Sequence, residues 1–146
     1  MPVVRGCNLP DDLLYDVDNN LWYRPEGDGT YTVGMTMIAT GMAGQLVAFT
    51  AKKAGKTIGA GKSVATVESG KWVGPAKILF DAEIVAVNDD LTSNPKLANS
   101  EPYGAGWMVK VKPADAAAAA ALTSGAEVAG PYEAKMAADN FAGCAA

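Results

Sequence analysis

Apolar and polar positions alternate along the middle of the chain with the two-residue period of half-buried strands. The clearest case runs from Trp107 to Lys112. Trp107, Val109 and Val111 share one face, Lys110 and Lys112 the other, and Pro113 stops the run. Leu21-Trp22-Tyr23-Arg24 and Thr30-Tyr31-Thr32-Val33-Gly34 predict a hairpin over Pro25 to Gly29, where Gly27, Asp28 and Gly29 tolerate positive φ. Gln45 to Phe49, Ser63 to Val67, Ala76 to Phe80 and the continuous apolar run Ile84 to Val87 supply further strands. Pairing Val64–Val67 with Ile84–Val87 would make two similar halves.

Helical signals are fewer. Thr36 can cap a short helix through Met37, Ile38, Ala39 and Met42 that Gly44 ends, with Met35, Met37 and Met42 read as core filling. Asp115 can cap the alanine run Ala116 to Ala121 and Leu122, and a second helix is expected from about Tyr132 to Phe141. Residues 1–20 read as irregular. The pattern Leu13, Leu14, Tyr15, Val17 suits a helical turn or an extended segment and does not choose between them.

Composition narrows the function classes. The chain has 146 residues, 49% of them hydrophobic, and a net charge of −4, which suits one ordinary globular domain. Without a basic patch to neutralise phosphates, nucleic acid is not an expected partner. No apolar run reaches membrane-spanning length, and Asp11 and Asp12 break any secretion-signal profile, so the expected location is the cytoplasm. In that reducing compartment Cys7 and Cys144 are expected as free thiols, and two cysteines without any histidine offer no metal site.

The absence of histidine also removes the usual nucleophile–base arrangements, so no catalytic residue is expected. Glu68, Asp81 and Glu83 read as solvated turn carboxylates. Gly61-Lys62-Ser63 resembles the end of a phosphate-binding loop, but the first required glycine position holds Lys56, one residue out of register with Gly55. What stands out is Glu68-Ser69-Gly70-Lys71-Trp72, a polar turn between two strand-like runs, followed by Gly74 and Pro75. It places Lys71 near a hairpin tip with its amine in water.

Glu68-Ser69-x-Lys71 resembles the Glu-Ser-x-Lys motif of the glycine cleavage system H protein, in which the lysine carries lipoic acid in amide linkage. The likeness continues in register through Glu83 to Asn88. It runs on through Asn94-Pro95-x-Leu97-x-Asn99-x-x-Pro102-Tyr103-Gly104-x-Gly106-Trp107-Met108-x-Lys110-x-Lys112-Pro113. Upstream, Glu26 to Thr30 and Thr32-Val33-Gly34 resemble the first hairpin of that family. About Leu21 to Asp115 is covered. The departures are Trp72 in place of a small residue after the lysine, Ile78-Leu79-Phe80-Asp81-Ala82 in place of a Ser-Pro-x-x-Gly turn, and Asn20-Leu21-Trp22 where a histidine is common. With Gly6-Cys7-Asn8-Leu9-Pro10 and Glu68 to Pro75, this pattern is more similar to a sister group, the lipoate-binding proteins of a sulfur-oxidising heterodisulfide-reductase-like complex.

The resemblance implies a mainly β fold: a flattened lipoyl-domain β-barrel (a barrel-sandwich hybrid) with a short internal helix and C-terminal helices. It implies one domain over 1–146, with a core of about 21–115 and a helical extension of about 116–141. Lys71 would carry lipoic acid, and Glu68, Ser69, Gly70 and Trp72 would present the turn to a lipoate-attaching enzyme. The chain would then be a carrier and not an enzyme, moving sulfur-bound intermediates for the heterodisulfide-reductase-like complex. The alternative is a glycine cleavage H protein carrying an aminomethyl group. Two other classes stay open: an unmodified binding scaffold, and a biotin carrier, whose lysine usually sits between methionines and not between Gly70 and Trp72.

Overall fold

The computed structural model describes residues 3–144. The chain opens with a small hairpin of β1 (Val3–Val4) and β2 (Cys7–Asn8), turned by Arg5 at φ 50 and Gly6 at φ 81. Two successive positive φ values are what a two-residue hairpin turn with the right twist demands. There follow β3 (Leu14–Asp16), β4 (Leu21–Pro25), β5 (Tyr31–Met35), α1 (Met37–Ala43) and β6 (Leu46–Ala51). Next come β7 (Thr57–Ile58), β8 (Ser63–Ser69), β9 (Val73–Lys77) and β10 (Ala82–Val87). The remainder holds short helices α2 (Asp89–Ser93) and α3 (Leu97–Ser100), then β11 (Val109–Pro113), a 3-10 helix (Ala116–Ala121), β12 (Thr123–Ser124) and α4 (Ala129–Ala138).

The strands form a seven-stranded sheet in the order β12-β3-β4-β5-β11-β10-β7 and a three-stranded sheet in the order β6-β8-β9. They face each other as a flattened sandwich and do not close into one hydrogen-bonded barrel. The core between them holds Tyr23, Val33, Val64, Val67, Ile78, Ile84, Val109 and Val111, all buried. This is the mainly β fold with few helices that the resemblance implies.

Several local expectations need correction. Val64–Val67 does not pair with Ile84–Val87: β8 pairs with β6 and β9, while β10 pairs with β11 and β7. The two runs instead contribute to the same core, through Val64, Ala65 and Val67 from one and Ile84 from the other. The strand after the lysine is Val73–Lys77, not Ala76–Phe80. Leu13 to Val17 resolves as extended, because Leu14–Asp16 finds edges to pair with on β4 and β12. The alanine run, capped by Asp115 accepting from Ala117 N–H, winds as a 3-10 helix with no buried residue to anchor a wider turn. The last helix starts earlier than expected, at Ala129, and buries Tyr132 and Met136.

The largest correction concerns the cysteines. Cys7 and Cys144 are not free thiols; they are disulfide-bonded, with Cα atoms 4.9 Å apart. The chain ends converge because Arg5 reaches across to the C-terminal segment. Its guanidinium pairs with Glu133 at 3.0 Å and donates to Phe141 O, and its own carbonyl accepts from Cys144 N–H. Around this junction a second apolar cluster forms from Val4, Cys7, Leu9, Leu13, Tyr15, Trp22, Ile38, Val128, Tyr132 and Met136. Helix α1 lies between the clusters: Ile38 packs into the terminal one, Ala39 and Ala43 into the sheet core. Among the described residues no helix is long and apolar enough to cross a membrane.

Candidate functional site

Strands β8 and β9 form a tight hairpin whose tip is Gly70-Lys71-Trp72. Ser69 ties the tip together. Its backbone N–H donates to Trp72 O at 2.7 Å, its hydroxyl lies 3.4 Å from the same oxygen, and Lys71 N–H donates back to Ser69 Oγ at 3.3 Å. Ser69 is buried while Glu68, Gly70, Lys71 and Trp72 are exposed. Of the turn residues singled out in the sequence, then, one braces the turn and the others face outward. Nothing lies within 4 Å of where a Cβ on Gly70 would sit, and its φ is not positive. Glycine there leaves the approach to Lys71 open; the turn itself would accept a side chain.

Lys71 is a projecting side chain that takes part in none of the ion pairs among the described residues. Its stem leans on the end of α1, with Cε 3.2 Å from where a Cβ of Gly44 would be. Gly44 caps α1 at φ 85 and donates to Thr40 O, so its backbone holds it to glycine. Asn99 fixes this seat. Its Nδ2 donates to Gly44 O at 3.0 Å and its Oδ1 accepts from Leu46 N–H at 2.9 Å. The sequence marks Gly44 only as a helix stop and Val47 only as a strand residue, since nothing local ties either to a turn more than twenty residues later. Asn99 stood within the C-terminal signature, and its spacing was the available signal.

Trp72 is 42% exposed and does not plug the core. Its ring folds back over Gly74, where any Cβ would collide with it, and its edge walls a groove. That groove has a volume of about 250 Å³ and is lined by Leu21, Met35, Ala39, Met42 and Ala43 as well as Trp72. A second hollow of about 400 Å³ holds Lys71 itself, with Gly44, Gln45 and Val47. Ala43 lines both. An eight-carbon acyl stem ending in a dithiolane fits these surroundings: an accessible amine, a glycine-sided approach and an apolar trough beside it.

The other unusual turn, Ile78 to Ala82, is placed elsewhere. It follows the far end of β9, about five residues and roughly 17 Å of strand from the lysine tip. There Asp81 Oδ1 accepts from Ala60 N–H at 2.7 Å and Tyr23 O–H faces Leu79 N–H at 3.2 Å. It does not alter the surface beside Lys71.

Comparison with known proteins agrees with this geometry. The family model described as Glycine cleavage H-protein matches residues 13–135. Glycine cleavage system H protein 5 of Aquifex aeolicus is 55% identical over 119 residues, covering 79% of this chain and 80% of its own. The glycine cleavage system H protein of Cronobacter sakazakii is 44% identical over 115 residues, covering 79% and 88%. The crystal structure of a glycine cleavage system H protein from Mycobacterium marinum superposes with a TM-score of 0.74 at 30% identity, over 88% of this chain and 98% of that one. A lysine turn braced by serine, set on a two-sheet sandwich and matched over most of its length by these proteins, leaves one assignment: the chain belongs to the glycine cleavage H-protein family.

Proposed function

We propose that this chain is the lipoyl carrier of a glycine cleavage system, one domain over 1–146, with lipoic acid in amide linkage to Lys71. Proteins of the family are lipoate-bearing carriers and not catalysts, so the chain serves as a substrate of partner enzymes. The observation that carries the reading is the accessibility of Lys71 on a turn braced by Ser69. Ser69 holds the backbone, and the amine projects into solvent beside an apolar trough.

The residues divide the work. Ser69 fixes the turn in one shape for a lipoate-attaching enzyme to read, and exposed Glu68 supplies a charge next to it. Gly70 keeps the approach clear. Lys71 provides the nitrogen for the amide and loses its charge on acylation. When bound, lipoate supplies a cyclic disulfide that can be reduced or can accept an aminomethyl group. Gly44 and Val47 form the floor from which the arm departs, and tethering raises its concentration at each partner site. The proposed location is the cytoplasm.

Peptide mass spectrometry of protein from its own cells, grown with lipoate, is expected to find a lipoyl adduct on Lys71 and on no other lysine. Glycine and a pyridoxal-phosphate glycine decarboxylase should then load the arm. An unmodified Lys71 would overturn the site, and a modified arm that glycine cannot load would overturn the role.

One observation favours a second role. The bulky, exposed Trp72 beside the lysine changes the surface that a partner reads, in the direction of carriers for a sulfur-oxidising heterodisulfide-reductase-like complex. Loss of thiosulfate oxidation with normal glycine breakdown in a deletion strain would select that reading.

A further inference from the structure

We propose that the Cys7–Cys144 disulfide is a redox partner, within the same molecule, for the dithiol form of the arm on Lys71. The inference rests on lipoylation of Lys71 and is independent of which carrier role the protein plays.

Helix α1 brings the two together. Lys71 Cε lies 3.2 Å from the Cβ position of Gly44 at the end of α1. Cys144 Sγ lies 3.4 Å from the Cβ position of Gly41 and 3.5 Å from Met37 O on the same helix. Gly44 directly follows the helix, and positions three apart there lie about 5–6 Å from one another, so the lysine stem and the sulfur are within a distance on the order of 12 Å. From Lys71 Cε to the sulfurs of a lipoyl group there are about eight to ten bonds, each advancing roughly 1.2 Å when extended, a reach of about 10–12 Å.

The two sulfurs of the pair differ in access. Cys7 is fully buried in the terminal cluster, whereas Cys144 is partly exposed beside α1. Attack is therefore directed to Cys144 Sγ, with Cys7 as the leaving thiolate. Net, the Cys7–Cys144 S–S bond breaks and both sulfurs end as thiols. The S–S bond of the dithiolane ring forms, and two electrons and two protons pass from the arm's dithiol to the cysteine pair. A disulfide kept in a reducing compartment is characteristically a cycling one, catalytic or redox-sensing, and not a permanent brace. The arm is a reductant already tethered within range.

The arrangement gives the cystine a consequence. Arg5, Phe141 and Cys144 hold the terminal segments against α1, and α1 is also the wall of the trough beside Trp72. Electrons parked on Cys7 and Cys144 leave the arm oxidised and ready for its next partner.

The test uses full-length lipoylated protein, its modification first confirmed by intact mass; failure at that step refutes the lipoyl reading and not the exchange. NADH and a lipoamide-specific flavoprotein disulfide reductase are then supplied without oxygen, and thiols are alkylated and mapped by mass. Alkylation of Cys7 and Cys144 as well as the arm is expected, with two NADH consumed per chain. Lys71→Arg should keep the cysteines paired under the same treatment. Transfer within the molecule should be independent of dilution. At about 10 µM protein it should run about 100-fold faster than transfer from a lipoylated C7S/C144S variant to unlipoylated protein. Should that double variant fail to fold, dilution of the wild type carries the same comparison. An arm that is reduced while Cys7 and Cys144 stay paired would overturn the proposal, as would equal reduction of the pair in Lys71→Arg or a rate that falls with dilution.

Discussion

The molecule has two apolar clusters, and they are built differently. The sheet core combines neighbouring pairs, such as β4 with β5 and β8 with β9, with distant ones, β5 with β11 and β3 with β12. The terminal cluster joins Val4, Cys7 and Leu9 to Val128, Tyr132 and Met136 from the opposite end. The first presents the lysine hairpin, and the second clamps the helix against which the lysine rests. Local alternation makes the hairpins of the former, which the distant strands β11 and β12 then complete. The latter needs long-range closure, and it is stapled by an ion pair and a disulfide spanning 137 residues.

The sharpest way to break this division is at Trp22, which belongs to the terminal cluster yet backs onto the sheet. It is fully buried, its Nε1 donates to Met35 O and Pro102 O, and its ring fills the space left by Gly34. Trp22→Ala is expected to cost about 3–5 kcal/mol, measured by urea unfolding. A cost below about 1 kcal/mol would mean that the two clusters are not joined there.

Reducing the disulfide should separate the clusters more gently. Loss of a long-loop crosslink typically costs about 2–4 kcal/mol. Hydrogen exchange should quicken in β1, β2 and α4 while β8 and β9 keep their protection. Uniform loosening of both sheets would contradict the division.

The tyrosines give a pH test. Burial pushes the Tyr103 hydroxyl up to about 12 from its ordinary 10.0, against the lowering effect of its bond from Met37 N–H. Burial likewise raises Tyr15 and Tyr132 in the terminal cluster. A raised phenol is neutral in the folded protein, so its contribution is full below pH 10 and is lost as pH rises through about 12. Phenolate absorbance from these rings should therefore appear together with unfolding of the terminal cluster. Smooth titration near pH 10 without unfolding would show that they are accessible.

At the hairpin tip the expected effects on stability are small. Trp72→Ala should cost less than about 1 kcal/mol, because the ring lies at the rim of the groove and outside the core, while weakening loading by the partner enzyme. Lys71→Arg should stay within about 0.5 kcal/mol of wild type by thermal melting and abolish lipoylation. A larger loss in either would mean that the tip supports the fold.

The strand alternation of β4, β5 and β11, the cap at Thr36 and the stop at Gly44 were legible in the sequence because each depends on residues within a few positions. So was the lysine turn, since its motif is contiguous and its register with the C-terminal signature can be counted. Asn99 shows how far that reached: its spacing was visible, but not its hydrogen bonds to Gly44 and Leu46. Only the tertiary structure decided which strands pair. An apolar run such as Ile84–Val87 satisfies any neighbour's edge, and here it bonds to β11 while Ile84 joins the core that β8 also lines. The structure also decided that Ile78–Ala82 lies away from the arm, since the short strand Val73–Lys77 sets the distance. It decided the fate of the cysteines as well. Composition and compartment argue for free thiols, whereas pairing requires two ends 137 residues apart to meet, and that depends on Arg5, Glu133 and the cluster beneath them.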